Sequence, residues 1–181
     1  SIHDENAKSE AREILNNKGA IGLFPEGTRN EVTSKEEEIQ KISKILNIST
    51  EEVLSKLKNK CTRTTQVNLL IELSKDHKIT KDELKEYILD ADNALLKLYK
   101  KKIITKEDYK ESLLLPFKFG AVSLAKKTNS LIIPFATVGD YNGEKEQLIT
   151  RIGEPIDISS MELEDANKLL REKIIDLMQK I

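Results

Sequence analysis

The sequence predicts an α/β fold: a partial sheet with flanking helices, interrupted by an all-helical insert. Two short apolar runs, residues 20–24 and 131–136, each follow a stretch of helical apolar spacing, which is the grammar of helix-strand units. Between them, residues 34–112 contain no glycine and no proline and are dense in Lys and Glu, so nothing there breaks a helix.

The elements follow in order. In residues 5–15, Ala7, Ala11, Ile14 and Leu15 share one helical face, and Asn16, Asn17, Lys18 and Gly19 supply a polar, glycine-closed end. Ala20, Ile21, Gly22, Leu23 and Phe24 then run continuously apolar up to Pro25, the pattern of a strand buried on both faces of a mostly parallel sheet. The insert carries start signals at Ser34, at Ser49 and Thr50 before Glu51 and Glu52, at Thr80 with Glu83, and more weakly at Thr105 with Asp108. About four or five helices are expected there. Ile39, Ile42, Ile45 and Leu46, then Val53, Leu54 and Leu57, and later Leu84, Ile88, Leu95, Leu96 and Leu98 should face a local core.

After the insert, residues 119–127 read as a helix, Thr128, Asn129 and Ser130 as a turn, and residues 131–136 as a second strand. Asp140, Tyr141, Asn142 and Gly143 suggest a turn, and residues 147–152 a further strand. Residues 160–180 suggest an amphipathic closing helix with Leu163, Ala166, Leu170, Ile174 and Leu177 on one side. The organisation is therefore a discontinuous α/β portion, residues 1–33 and 113–181, around a helical insert, residues 34–112. A sheet made from these segments alone exposes an edge and an apolar face.

Composition narrows the function. The 181 residues are 38% apolar, enough for a core, and 34% charged, with 30 basic and 31 acidic side chains giving a net charge of -1. That balance offers no global attraction for nucleic acid, and none is expected as a partner. Lys100, Lys101 and Lys102, like Lys126 and Lys127, read as solvated helix faces. A single cysteine, Cys61, permits no internal disulfide, and no Cys/His cluster suggests zinc, so a cytoplasmic setting fits. No apolar stretch approaches the roughly 18 residues that span a bilayer, so work on lipids would proceed from the cytoplasmic face of a membrane.

The segment Phe24, Pro25, Glu26, Gly27, Thr28 and Arg29 sits at the carboxyl end of the first expected strand, where open α/β sheets place ligands. Gly27 permits a turn and a close approach of backbone to ligand. Arg29 offers a planar fork matched to phosphate, Glu26 accepts from hydroxyl groups, and Thr28 adds a donor. Taken by themselves, these residues also make a good turn with an exposed arginine.

Phe24 to Arg29 resembles, residue for residue, the third sequence block of the lysophosphatidic acid (PlsC-like 1-acylglycerol-3-phosphate) acyltransferase family. The stretch from Pro116 through Ala125, followed by Leu131, Ile132, Ile133, Pro134 and Phe135, resembles the approach to that family's fourth block. The resemblance covers about Asn6 to Asn30 and Leu113 to Lys180. It implies that Glu26, Gly27, Thr28 and Arg29 bind the phosphate and glycerol of the acceptor, and that Phe24, Pro25, Ile133, Pro134 and Phe135 shape the pocket. Lys118, at a loop-helix junction, either adds charge toward that phosphate or is a solvated lysine. The implied reaction moves a fatty acyl group from acyl-CoA or acyl-carrier protein to 1-acylglycerol 3-phosphate, giving phosphatidate. No metal and no bound cofactor are implied.

The family's catalytic signature, a histidine followed five positions later by an aspartate and lying upstream of the phosphate block, is missing. His3 has Lys8 at that offset. His77 and Asp82 match the spacing but lie after the phosphate block, inside the insert, where Asp82 is better explained as a first-turn helix residue. Two expectations follow: an acyltransferase lacking its catalytic block here, or a non-catalytic phosphate-binding or protein-interaction module built on an acyltransferase remnant. The insert itself reads as a lid, a docking surface or a neutral expansion, since loops accept long insertions at modest entropic cost.

Overall fold

The computed structural model describes residues 5–139 and 147–179 and divides the chain into two compact units. One comprises Ser1–Thr28 with Pro116–Ile181, the other Arg29–Leu115. The fold is α/β, mostly helical with one small sheet.

In the discontinuous unit, α1 (Glu5–Asn16) ends where the Gly19 N–H donates to the Ile14 carbonyl at 2.8 Å. The expected strand at 20–24 does not form. A strand exists through ladder hydrogen bonds to a neighbour, and no described strand pairs with this run. Nor is it buried on both faces, since Leu23 and Phe24 are solvent-exposed.

The second helix-strand unit is present. Helix α8 (Gly120–Thr128) closes on Asn129, whose left-handed conformation makes the turn. The expected strand at 131–136 starts later, as β1 (Phe135–Val138), because Pro134 has no N–H to give to a ladder. Ahead of it, Ile132 and Ile156 form an isolated bridge. Strand β2 (Ile149–Ile152) pairs antiparallel with β1, Phe135 opposite Ile152 and Thr137 opposite Thr150. The turn expected at 140–143 lies outside the described residues.

Helix α9 (Leu163–Met178) is the closing helix, with Ala166 and Leu170 buried; Ile175, outside the expected stripe, is buried too. It packs on β1. Alternation along the strands then sorts the sheet into two faces. Ala136 is buried, and its cross-strand neighbour Arg151 donates to the Leu177 carbonyl at 2.7 Å. On the opposite face Phe135 and Ile152 are exposed. The apolar face anticipated from the sequence is open.

The helical unit contains six α-helices rather than four or five: α2 (Glu36–Leu46), α3 (Thr50–Leu57), α4 (Thr64–Lys75), α5 (Lys81–Tyr87), α6 (Ala91–Lys100) and α7 (Lys106–Glu111). Three of the four start signals act as expected. Ser49 accepts from the Glu52 N–H, and Thr80 and Thr105 form capping boxes with Glu83 and Asp108. Ser34 does not cap. Its hydroxyl donates to the Glu31 carbonyl within a 3-10 turn, and Lys35 precedes α2 without a side-chain bond.

The sequence reading missed an internal repeat. At an offset of 25 residues, His77 and Lys102 are both left-handed at φ 58°, Ile79 and Ile104 are both buried, and Thr80 and Thr105 both open capping boxes. Leu84 and Tyr109 then both point into the core. The expected core residues Ile39, Ile42, Val53, Leu57, Leu84, Ile88, Leu95 and Leu98 are buried, Ile45, Leu46 and Leu96 are half-buried, and Leu54 is exposed. Under this core lies a polar node: Asp92 Oδ1 accepts from Gln66 at 2.8 Å and from the Tyr109 hydroxyl at 3.0 Å, with Arg63 at 3.8 Å.

Candidate functional site

Residues 24–27 form a tight turn in which the Gly27 N–H donates to the Phe24 carbonyl at 3.0 Å. Gly27 takes φ +67°, a conformation that costs other residues. A second bond ties this turn to the segment before α8: the Lys118 N–H donates to the Pro25 carbonyl at 2.8 Å. The Lys118 side chain lies over the glycine. A Cβ at Gly27 would stand 2.8 Å from its Cδ and 3.1 Å from its Nζ. Lys118 is held from behind, because Phe117 is buried and its carbonyl accepts from the Asn167 amide at 3.2 Å.

Within this unit the structure therefore brings Pro25, Gly27 and Lys118 together, a glycine turn with an ammonium group laid against it. Glu26 is half-buried and Thr28 exposed. Of the residues expected to shape the pocket, Phe24 is 80% exposed, Ile133 56% and Phe135 43%, while Pro134 is buried and its carbonyl accepts from the Gly153 N–H. Such large apolar side chains held in water are suited to contact an apolar ligand.

Arg29 follows directly in the chain as the first residue of the helical unit and is exposed. The sequence reading passed over the residue after it. Asn30 accepts at Oδ1 from the Thr65 N–H at 3.3 Å and donates from Nδ2 to Thr65 Oγ1 at 3.1 Å. Its carbonyl accepts from the Thr64 N–H at 3.0 Å. The available signal was α4 itself, whose N-cap position holds Arg63, a residue that offers no capping oxygen.

His77 and Asp82 stand apart from this constellation in kind. His77 is an exposed residue in the left-handed turn after α4, and Asp82 is exposed in the first turn of α5. His3 lies outside the described residues. No helix among the described residues is long and apolar enough to cross a membrane.

The discontinuous unit thus carries a small sheet with an open apolar face and a glycine turn beneath a lysine. The chain belongs to the acyltransferase family, whose family model, described as Acyltransferase, matches residues 3–138. That match begins ahead of the turn, spans the whole helical unit and ends with β1. No curated protein and no solved structure matches the chain significantly.

Proposed function

We propose that the chain forms the acceptor-binding part of an acyltransferase of phospholipid synthesis, which passes a fatty acyl group from acyl-CoA or acyl-carrier protein to 1-acylglycerol 3-phosphate. The observation that carries this reading is the Phe24 to Gly27 turn. Its glycine takes a positive φ that closes the turn, and the Lys118 side chain fills the space a Cβ would need, which holds an ammonium group against the turn. In this reading Arg29, as the resemblance implies, neutralises the acceptor phosphate, Glu26 takes a glycerol hydroxyl, and Gly27 and Thr28 offer donors.

Acyl transfer requires the free acceptor hydroxyl to attack the thioester carbonyl while a base removes its proton and the thiolate departs. Anchoring the phosphate fixes where that hydroxyl stands, and positioning alone is worth several orders of magnitude in rate. Ile133 and Phe135, exposed beside the buried Pro134, would contact an acyl chain. A lipid acceptor calls for work at a membrane surface, which this reading takes to be the cytoplasmic face.

The test is Arg29→Ala in the native protein, assayed against both substrates. Loss of a charge-assisted hydrogen bond to phosphate should weaken acceptor binding by about 1.5 to 3 kcal/mol. An acceptor KM and kcat equal to those of the parent would remove the phosphate assignment.

A further inference from the structure

Helix α4 starts without a cap of its own, since Arg63 makes no side-chain bond to the first turn. Four N–H groups at a helix start lack intrahelical partners. Asn30, far back in the sequence, supplies two of the missing acceptors: its carbonyl takes the Thr64 N–H at 3.0 Å and its Oδ1 takes the Thr65 N–H at 3.3 Å. The chain continues as a short antiparallel stretch, with the Val32 N–H on the Thr62 carbonyl at 2.9 Å and a bridge between Glu31 and Arg63. Val32 itself is fully buried.

The far end of the helical unit arrives at the same place. The Thr65 hydroxyl donates to the Ser112 carbonyl at 2.5 Å, which leaves its lone pairs for Asn30 Nδ2 at 3.1 Å. Asn30 Nδ2 also reaches the Leu113 carbonyl at 3.5 Å. One amide thus joins the entry of the helical unit, the start of its central helix and its exit.

We propose that Asn30 is a positioning residue for Arg29, and that through the clasp with Thr65 the helical unit sets how Arg29 is presented to the acceptor phosphate. This rests on the phosphate reading of Arg29. A backbone pinned on one side within a single residue leaves the guanidinium fewer orientations to lose on binding, which is the usual gain from preorganisation. The insert then has a role in presenting Arg29 rather than being a passive expansion.

The experiment compares Asn30→Ala, Thr65→Val and Thr65→Ser with Arg29→Ala in the native protein, measuring KM for the lysophospholipid acceptor and for the acyl thioester. Each variant's fold is checked by its thermal melt. Thr65→Val keeps the backbone N–H and the side-chain shape but removes the hydroxyl that joins Asn30 to Ser112. Asn30→Ala and Thr65→Val should raise acceptor KM roughly fivefold, the scale of one lost hydrogen bond, with donor KM unchanged. Thr65→Ser should restore the parent value. If Arg29→Ala raises acceptor KM while both clasp variants leave it alone, or lower only kcat as a smaller folded fraction would, the clasp is structural and the proposal is overturned. If Arg29→Ala itself has no effect on acceptor KM, the phosphate reading fails first.

Discussion

The two units solve the burial problem differently. In the helical unit Leu54 is the single exposed large apolar side chain among the described residues, while Ile42, Leu57, Leu70, Leu84, Leu95 and Tyr109 are sealed. In the discontinuous unit Phe24, Leu131, Ile133 and Ile152 each show more than half their surface to water. One unit has spent its apolar residues on its own stability, and the other keeps a set of them available for contact.

The sharpest way to break the comparison is to cut the sealed core. Leu95 is fully buried on α6, and Leu95→Ala should remove both its burial and the packing around the cavity left behind, costing about 2 to 5 kcal/mol. Urea unfolding followed by circular dichroism would read this as a lower midpoint. A change under 1 kcal/mol would mean that the helical unit is not closed in the way its burial indicates.

A smaller effect tests the repeat inside that unit. Thr80→Ala and Thr105→Ala each remove the oxygen that satisfies a helix-start N–H, and each should cost about 0.5 to 2 kcal/mol. Because the two boxes occupy equivalent positions, the losses should agree closely. Strongly unequal losses would show that the 25-residue correspondence is one of geometry and not of energetic weight. The boxes also set an acid response. The Thr80 N–H holds the Glu83 carboxyl below its usual range, and the Thr105 N–H does the same for Asp108. A carboxyl lowered in the folded state stabilises fully above the ordinary carboxylate range, and that contribution is lost as pH falls through the lowered value. Acid unfolding of Glu83→Gln should therefore be less steep than that of the parent, while Thr80→Ala, which keeps the N–H, should change the slope much less.

These outcomes also mark what the sequence could disclose. Caps are local chemistry, so Ser49, Thr80 and Thr105 were legible three residues from their partners, and Asn129 closed α8 as its turn residues indicated. Strand existence is not local. The run at 20–24 has the apolar pattern of a buried strand, but no described strand lies beside it, and pattern alone cannot supply a hydrogen-bonding neighbour. Ser34 does not cap because it is the last residue of a 3-10 turn and the position that precedes α2 falls on Lys35. In the candidate site, the glycine turn and Arg29 were readable as residue types in order. Asn30 was not, because its partners Thr65 and Leu113 are brought to it only by folding.

The smallest expected effect is the most informative about the open sheet. Ile152 is 71% exposed and stands opposite Phe135 on the face that α9 leaves uncovered. Ile152→Thr keeps the β-branched shape and so the strand preference, while removing apolar surface that already meets water. Its cost in unfolding free energy should stay within about 0.5 kcal/mol, as for other exposed substitutions. A loss above 2 kcal/mol would mean that something covers this face in solution, because only a buried isoleucine carries that much transfer and packing energy. The same variant separates stability from substrate contact: if the face meets the acyl chain, activity toward long-chain donors should fall while the melt stays put. A parallel fall in both would return the face to the core.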